Sequence, residues 1–252
     1  MCQYCNTQDC TSFTKASVST MLIRFMLFVG FFGNVPLLKK VPLRTAERAR
    51  ERSGVIKALS YEEMVDFVKN AERGYVFFRS VHPKYCRCRR ARFHRNKETA
   101  HACMDYGNII EIVPLIRRGN IRILDQEEVL QIVDEAREKG LVHTITTYNH
   151  HDMYSVCSCC NCCCVGIVPY RHGVYDACEP SGKVAMSGED CTGCGVCIKH
   201  CKGYFKTRKM VKEGGKEIAM PTDRCVGCGT CRDVCPESCI ELVNREEVCA
   251  LA

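Results

Sequence analysis

Apolar side chains recur at helical spacing in two separate stretches of the chain. The first stretch begins at residues 60–63 (Ser-Tyr-Glu-Glu), a capping box in which the serine and the second glutamate satisfy each other's backbone N–H groups. The spacing predicts a helix that runs to about Arg73 and ends at Gly74, followed by a strand over Tyr75–Phe78. The apolar face of this helix consists of Met64, Phe67, Val68 and Ala71.

The second stretch repeats this organisation about 65 residues further on. Residues 125–128 (Asp-Gln-Glu-Glu) form another capping box, and the spacing predicts a helix to Lys139 that stops at Gly140. A strand is predicted over Leu141–Thr146. The apolar face of the second helix consists of Val129, Ile132, Val133 and Ala136.

Both stretches follow the order helix, glycine, strand, loop and Cys-x-Cys, which predicts an internal pseudo-twofold repeat. The Cys-x-Cys pairs begin at Cys86 and Cys157, and in such a repeat their loops would face each other. The apolar runs Ile109–Val113 and Ile121–Leu124 predict two further strands. Residues 55–177 are therefore predicted to form a small α/β domain with a cysteine-lined site.

Two cysteine runs near the C-terminus share the spacing Cys-x2-Cys-x2-Cys-x3-Cys, which holds a cubane 4Fe–4S cluster. The runs comprise Cys191, Cys194, Cys197 and Cys201, and then Cys225, Cys228, Cys231 and Cys235. Strands are predicted around them over 183–186, 217–220 and 240–243. Zinc is disfavoured here because it is usually bound by pairs of Cys-x2-Cys rather than by three evenly spaced cysteines and a fourth.

Residues 178–246 resemble the bacterial two-cluster ferredoxin domain, a pair of β-α-β units with pseudo-twofold symmetry. In that family the fourth cysteine of each run ligates the other cluster. The resemblance therefore implies one cluster held by Cys191, Cys194, Cys197 and Cys235, and another held by Cys225, Cys228, Cys231 and Cys201. One departure is Lys202, which stands where the family has proline after the fourth cysteine and is expected to loosen one turn.

A further set of cysteines is predicted to form a second metal site upstream. It comprises Cys86, Cys88, Cys103, Cys157, Cys159, Cys160, Cys162, Cys163 and Cys164. The favoured occupant is one or two additional iron–sulfur clusters, one of them bound by Cys86, Cys88, Cys103 and a cysteine of the 157–164 run. Neighbouring arginines would offset its charge, namely Arg87, Arg89, Arg90 and Arg92. The alternatives are zinc, with His94 and His101 as added ligands, and a reactive dithiol.

Composition supports an intracellular redox protein. The chain has 252 residues and 23 cysteines, which favours a reducing cytoplasm and an anaerobic source. The formal net charge is +7. Two cubane clusters would remove about 4 positive charges, because each cluster with its four thiolates is anionic. The basic balance therefore does not predict nucleic-acid binding, and no Gly-x-Gly-x-x-Gly or P-loop signature predicts a nucleotide site.

The N-terminal part differs in character from the rest. Residues 1–20 are polar and aperiodic and are predicted to be a disordered extension. Residues 21–54 are predicted to be helical, with an apolar stretch over 21–38 and a basic stretch after it. The apolar stretch is interrupted by Arg24 and Pro36 and is too short for a membrane span. It is a candidate for docking on a membrane surface or on a protein.

These patterns favour an electron-transfer protein in which the ferredoxin-like domain, residues 178–252, passes single electrons to a redox partner. One alternative is an enzyme that reduces a thiol or disulfide at the upstream site, and another is a zinc-stabilised interaction module fused to a ferredoxin. His143, His150 and His151 are expected to be surface residues of a strand end and a loop rather than ligands.

Overall fold

Helices and strands alternate through the part of the chain that the computed structural model describes, residues 56–80, 103–119, 121–148, 151–159, 161, 164 and 166–250. The upstream elements are β1 (Ile56–Leu59), α1 (Tyr61–Lys69), β2 (Tyr75–Ser80), β3 (Cys103–Asn108), α2 (Ile109–Arg117), β4 (Ile121–Leu124), α3 (Gln126–Glu138), β5 (Val142–Tyr148), β6 (His151–Cys159) and α4 (Ile167–Arg171). The C-terminal elements are β7 (Lys183–Ser187), α5 (Val196–Tyr204), β8 (Arg208–Glu213), β9 (Lys216–Pro221), α6 (Thr230–Asp233), β10 (Ile240–Asn244) and α7 (Arg245–Ala250). The predicted α/β class is confirmed.

The six upstream strands form one antiparallel sheet in the order β1-β5-β6-β3-β2-β4. This order confirms the predicted repeat, because β1-α1-β2-β3 and β4-α3-β5-β6 are two copies of one unit. The two copies meet at the central β3–β6 pair. The first strand of each copy pairs with a strand of the other copy at the edge of the sheet, β1 with β5 and β4 with β2. The pseudo-twofold axis therefore runs between β3 and β6.

Helices α1 and α3 pack together on one face of this sheet and bury the main apolar core. Its fully buried members include Met64, Val68, Met104, Val129, Val133 and Val156. Because successive side chains of a strand point to opposite faces, Val156 joins this core whereas Cys157 and Cys159 lie on the other face. On that other face, Cys159 packs against Ala58 and Val142.

Both predicted capping boxes are present, but the first helix is shorter than predicted. Helix α1 ends at Lys69 instead of about Arg73, and the side-chain amide of its C-cap residue, Asn70, donates to the carbonyl of Asp66 at 2.9 Å. Gly74 therefore does not cap the helix. With φ of 84° it forms the turn into β2 instead.

The run Ile109–Val113 was predicted as a strand and is instead the start of helix α2. A short apolar run does not distinguish the two structures by its periodicity. The decisive feature is Asn108, whose side chain accepts a hydrogen bond from the N–H of Ile110 at 3.0 Å and caps the helix. The strand predicted over Ile121–Leu124 is confirmed as β4.

The Cys157–Cys159 pair was predicted on a loop and lies instead within strand β6. In the pairing with β3, Cys157 is opposite Cys103, and in the pairing with β5 it is opposite Thr144. Both Cys157 and Cys159 therefore occupy fixed positions on the sheet.

The three strands predicted around the C-terminal cysteine runs are confirmed as β7, β9 and β10. Strands β7 and β10 pair antiparallel, and β9 pairs with β8, a strand that was not predicted. Lys202 does not loosen a turn. Without a proline at that position, helix α5 continues past Cys201 to Tyr204, whereas α6 is only four residues long.

Hydrogen bonds and ion pairs join the upstream and C-terminal parts. The N–H of Ala58 donates to the carbonyl of Glu179 at 2.9 Å, and the capping-box residue Glu63 accepts from the N–H of Gly182 at 3.0 Å. An ion pair joins Arg232 to Glu62 at 2.6 Å, and Arg137 pairs with Asp233 at 2.9 Å. The domain boundary predicted near residue 178 therefore lies within this contact zone and stays a prediction.

The predicted extension over 1–20 and the helical segment over 21–54 lie outside the described residues. Within the described ranges, no helix is both long enough and apolar enough to cross a membrane.

Candidate metal centre

One cavity of the C-terminal part is surrounded by thiols from both cysteine runs. Three of its cysteines belong to the first run, whereas Cys235 comes from the second. The three are Cys191, Cys194 and Cys197. Cys239 also lines this cavity, and its sulfur lies 3.6 Å from that of Cys235. Cys194 is exposed to solvent, so this cavity lies near the surface.

The second cavity has the reciprocal composition. It is lined by Cys225, Cys228 and Cys231 of the second run together with Cys201 of the first. The structure thus brings together the same two groups of four cysteines that the ferredoxin resemblance implies. We call them the first thiol set (Cys191, Cys194, Cys197, Cys235) and the second thiol set (Cys201, Cys225, Cys228, Cys231).

Glycines in left-handed backbone conformations allow the loops of both runs to close tightly. Gly227 has φ of 71°, and a Cβ atom at this position would lie 2.1 Å from the carbonyl oxygen of Lys183. Gly193, also with φ of 71°, would bring a Cβ atom 2.6 Å from the carbonyl oxygen of Glu217. Only glycine fits at these positions, because other residues would clash with the neighbouring strand.

The electrostatic environment differs among these thiols. Burial raises the pKa of Cys228 to about 12 and also raises the pKa values of Cys231 and Cys197. Burial acts in the same direction on Cys191, but N–H groups of Ala219 and Gly193 oppose it and leave the pKa of this thiol below its usual value. Metals bind thiolates, so metal binding by these buried thiols must release protons.

A buried arginine lies beside the second cavity, and no acidic residue in the described part of the chain pairs with it. Arg208 is 5% exposed, and its guanidinium donates to the carbonyls of Ala185 and Ala219 at 2.7 and 2.6 Å and to the hydroxyl of Ser187 at 2.5 Å. Its Nε atom has no hydrogen-bond partner among the described residues, and no carboxylate among them pairs with it. An uncompensated buried charge is costly, and anionic clusters in the two cavities would supply the missing negative charge.

Sequence reasoning missed Arg208 because nothing in the local pattern separates it from the other basic residues around it. The arginines that it did single out, Arg87, Arg89, Arg90 and Arg92, lie outside the described residues. In the part of the chain that the structure describes, no group of three or more histidine, cysteine, aspartate or glutamate side chains has the arrangement of ligands to a single metal ion. Four thiols around a cavity instead suit a multi-iron cluster.

Three of the upstream cysteines have described side chains. The Cys157 thiol and burial raise the pKa of Cys159, and the Cys159 thiol and burial raise the pKa of Cys164. Cys159 therefore lies near both of the other thiols, and its sulfur lies 3.6 Å from the hydroxyl of Thr144. Cys103 is placed in β3 by its backbone alone, whereas Cys86, Cys88, Cys160, Cys162 and Cys163 lie outside the described residues.

Sequence reasoning also missed Cys178, which is 1% exposed and packs in one apolar cluster with Cys159, Cys164 and Cys228. Burial raises its pKa, and the thiols of Cys164 and Cys228 act in the same direction. Cys178 stands alone in the sequence, without a cysteine at metal-ligand spacing, so no pattern marks it. It links the upstream thiols to the second thiol set.

His143 is not the surface residue that was expected. It is 2% exposed, its Nδ1 atom lies 2.9 Å from the hydroxyl of Ser158, and its Nε2 atom is buried without a partner among the described residues. His150 lies outside the described residues, and His151 begins strand β6.

We expect His143 to remain neutral well below neutral pH. Burial lowers its pKa from 6.5 to about 4, so between these values the unfolded chain binds a proton that the folded protein does not bind. This difference contributes about 3 kcal/mol to the free energy of unfolding. The contribution is present above pH 6.5 and is lost as the pH falls toward 4. Histidine NMR spectra should show one imidazole ring whose chemical shifts stay those of the neutral form from pH 8 to pH 5. The signals of this ring should be absent from the spectra of His143→Gln. If that ring titrated near pH 6.5, the prediction would be wrong.

Comparison with known families supports the C-terminal site. A family model for the 4Fe-4S binding domain matches residues 221–241, which contain the whole second cysteine run. The C-terminal part therefore contains a ferredoxin-type 4Fe–4S binding domain, and the match supports at least one bound cluster. A comparison with curated proteins found no match to this chain.

Proposed function

We propose that this protein carries single electrons through two 4Fe–4S clusters, one bound by the first thiol set and the other by the second. The observation that supports this most directly is the exchange of the fourth cysteine, since Cys235 lines the first cavity and Cys201 lines the second. Each cluster, when bound, accepts and releases one electron. The residues around it supply thiolate ligands, hydrogen bonds to sulfur and a buried positive charge.

Hydrogen bonds within the second cavity would favour the charged form of the site. The N–H of Thr207 donates to the sulfur of Cys201 at 3.2 Å, and Arg208 donates to the sulfur of Cys231 at 3.6 Å. Hydrogen bonds to ligand sulfurs stabilise negative charge there, and reduction adds negative charge. These donors would therefore raise the reduction potential of this cluster.

A redox partner protein would approach at the first cavity. The thiol of Cys194 is exposed there, and the adjacent Val196 is 43% exposed. A docked protein would therefore reach the first thiol set directly at Cys194, and an electron would enter or leave at this point. The second thiol set lies on the other side, toward the upstream sheet, through the packing of Cys228 with Cys159.

A second proposal is that the upstream cysteines bind a further iron–sulfur cluster that exchanges electrons with the second thiol set. The observation that favours it is the position of Cys159, which shares one face of the sheet with Cys157 and packs in the apolar cluster that contains Cys164 and Cys228. The same thiols would serve a site that reduces a thiol or disulfide substrate, or would bind zinc.

Metal analysis of protein purified without oxygen tests both proposals. We expect about eight irons and eight sulfides per chain for the two C-terminal clusters, and about twelve or sixteen irons if the upstream site also holds clusters. EPR spectra of the reduced protein should show magnetic coupling between the two C-terminal clusters. About four irons per chain would contradict the two-cluster proposal. One zinc with eight irons would contradict the upstream cluster.

A further inference from the structure

Arg208 connects the two cavities as well as the strands around them. It is the first residue of β8, and its guanidinium donates to a carbonyl of β7 (Ala185) and to a carbonyl of β9 (Ala219). The same guanidinium lies 3.6 Å from the sulfur of Cys231, a member of the second thiol set. Its burial at 5% exposure means that water does not screen its charge.

The first thiol set also lies within reach of this charge. The guanidinium donates to the hydroxyl of Ser187 and to the carbonyl of Ala219, and both of these residues line the first cavity. One buried cation therefore contacts a thiol of the second set and the wall of the first cavity.

We propose that Arg208 raises the reduction potentials of both clusters by serving as their shared counter-ion. This inference rests on the proposed pair of clusters. Each reduction adds one electron from an external low-potential donor to one cluster, and no covalent bond forms or breaks. The added negative charge is stabilised by the positive charge of the buried guanidinium.

The test compares Arg208→Gln and Arg208→Lys with the unaltered protein, in redox titrations of the full chain followed by EPR with dithionite as donor. We expect Arg208→Gln to shift the reduction equilibrium of both clusters toward the oxidised state by at least tenfold, which is about 59 mV for one electron. Arg208→Lys keeps the charge but loses the planar fork, so we expect both equilibria within about threefold of the unaltered values.

Arg245 provides a matched control. Its guanidinium donates to three carbonyls, those of Ser181, Lys183 and Cys225, whereas that of Arg208 donates to two carbonyls and a hydroxyl. Arg245→Gln therefore removes a comparable number of hydrogen bonds. Those acceptors include no thiol and no residue of the first thiol set. We expect Arg245→Gln to leave the potential of the first cluster unchanged, whereas Arg208→Gln lowers it.

The outcomes separate this inference from the proposed function. If the unaltered protein lacks two cubane clusters, the proposed function is wrong regardless of Arg208. If both clusters are present and Arg208→Gln leaves both potentials unchanged, the role of Arg208 is wrong. The same conclusion follows if Arg208→Lys lowers both potentials as much as Arg208→Gln does. Should Arg208→Gln fail to retain iron, the lysine variant alone decides, and a tenfold shift there would overturn the inference.

Discussion

A Cys235→Ser variant is expected to lose the cluster of the first thiol set and to keep that of the second. Cys235 belongs to the second cysteine run by sequence but lines the first cavity together with Cys191, Cys194 and Cys197. Serine is a poor ligand for a cluster that is otherwise bound by soft thiolates. Iron per chain should fall by about four, and the magnetic coupling in the EPR spectrum of the reduced protein should disappear.

Cys239→Ser is the matched control for this prediction. Cys239 lines the same cavity, and its sulfur lies 3.6 Å from that of Cys235. Each of the two substitutions therefore replaces one sulfur atom with oxygen at nearly the same place in the cavity. We expect Cys239→Ser to keep both clusters. The reciprocal variant Cys201→Ser should lose the second cluster and keep the first. The crossed assignment is wrong if Cys235→Ser instead removes the cluster of the second thiol set.

The C-terminal part was largely predictable because its information is local. Cysteine spacing and glycine positions within each run are read directly from adjacent residues, and the strands over 183–187, 216–221 and 240–244 follow from short apolar runs. The effect of Lys202 was not predictable in detail. Replacing proline removes a helix stop, but how far helix α5 continues depends on tertiary contacts such as the hydrogen bond from the Tyr204 hydroxyl to the carbonyl of Gly140 at 2.7 Å.

The upstream part shows where local information ends. The two capping boxes predicted both helices and suggested the repeat, since each box is a property of four consecutive residues. The exchange of β1 and β4 between the two units is a long-range pairing that no local pattern specifies. The roles of Arg208 and Cys178 have the same origin, because both residues are defined by neighbours that are distant in sequence. Cys178, for example, packs with Cys159 and Cys228.

A Gly227→Ala variant is expected to destabilise the second cavity severely. At φ of 71° an alanine is strained, and its Cβ atom would lie 2.1 Å from the carbonyl oxygen of Lys183 and 2.2 Å from the hydroxyl of Ser181. These neighbours cannot easily move, because the N–H of Ser181 donates to Val226 at 2.9 Å and Arg245 holds the carbonyl of Lys183 at 2.8 Å. Backbone strain and overpacking together should cost at least about 3 kcal/mol.

Gly214→Ala separates the clash from the strain. Gly214 also has a positive φ, 57°, but a Cβ atom there would meet nothing within 4 Å, so only the strain of about 1 kcal/mol should remain. The measurement is the loss of the cluster absorbance as denaturant is added under anaerobic conditions, together with iron per purified chain. We expect Gly214→Ala to keep both clusters, with a slightly lower denaturation midpoint. Gly227→Ala should lose the cluster of the second thiol set first, because its loop carries Cys225 and Cys228 on either side of the clash. Equal midpoints for the two variants would mean that the loop can retreat from residues 181–183, and the close packing of this cavity would then not be required for holding its cluster.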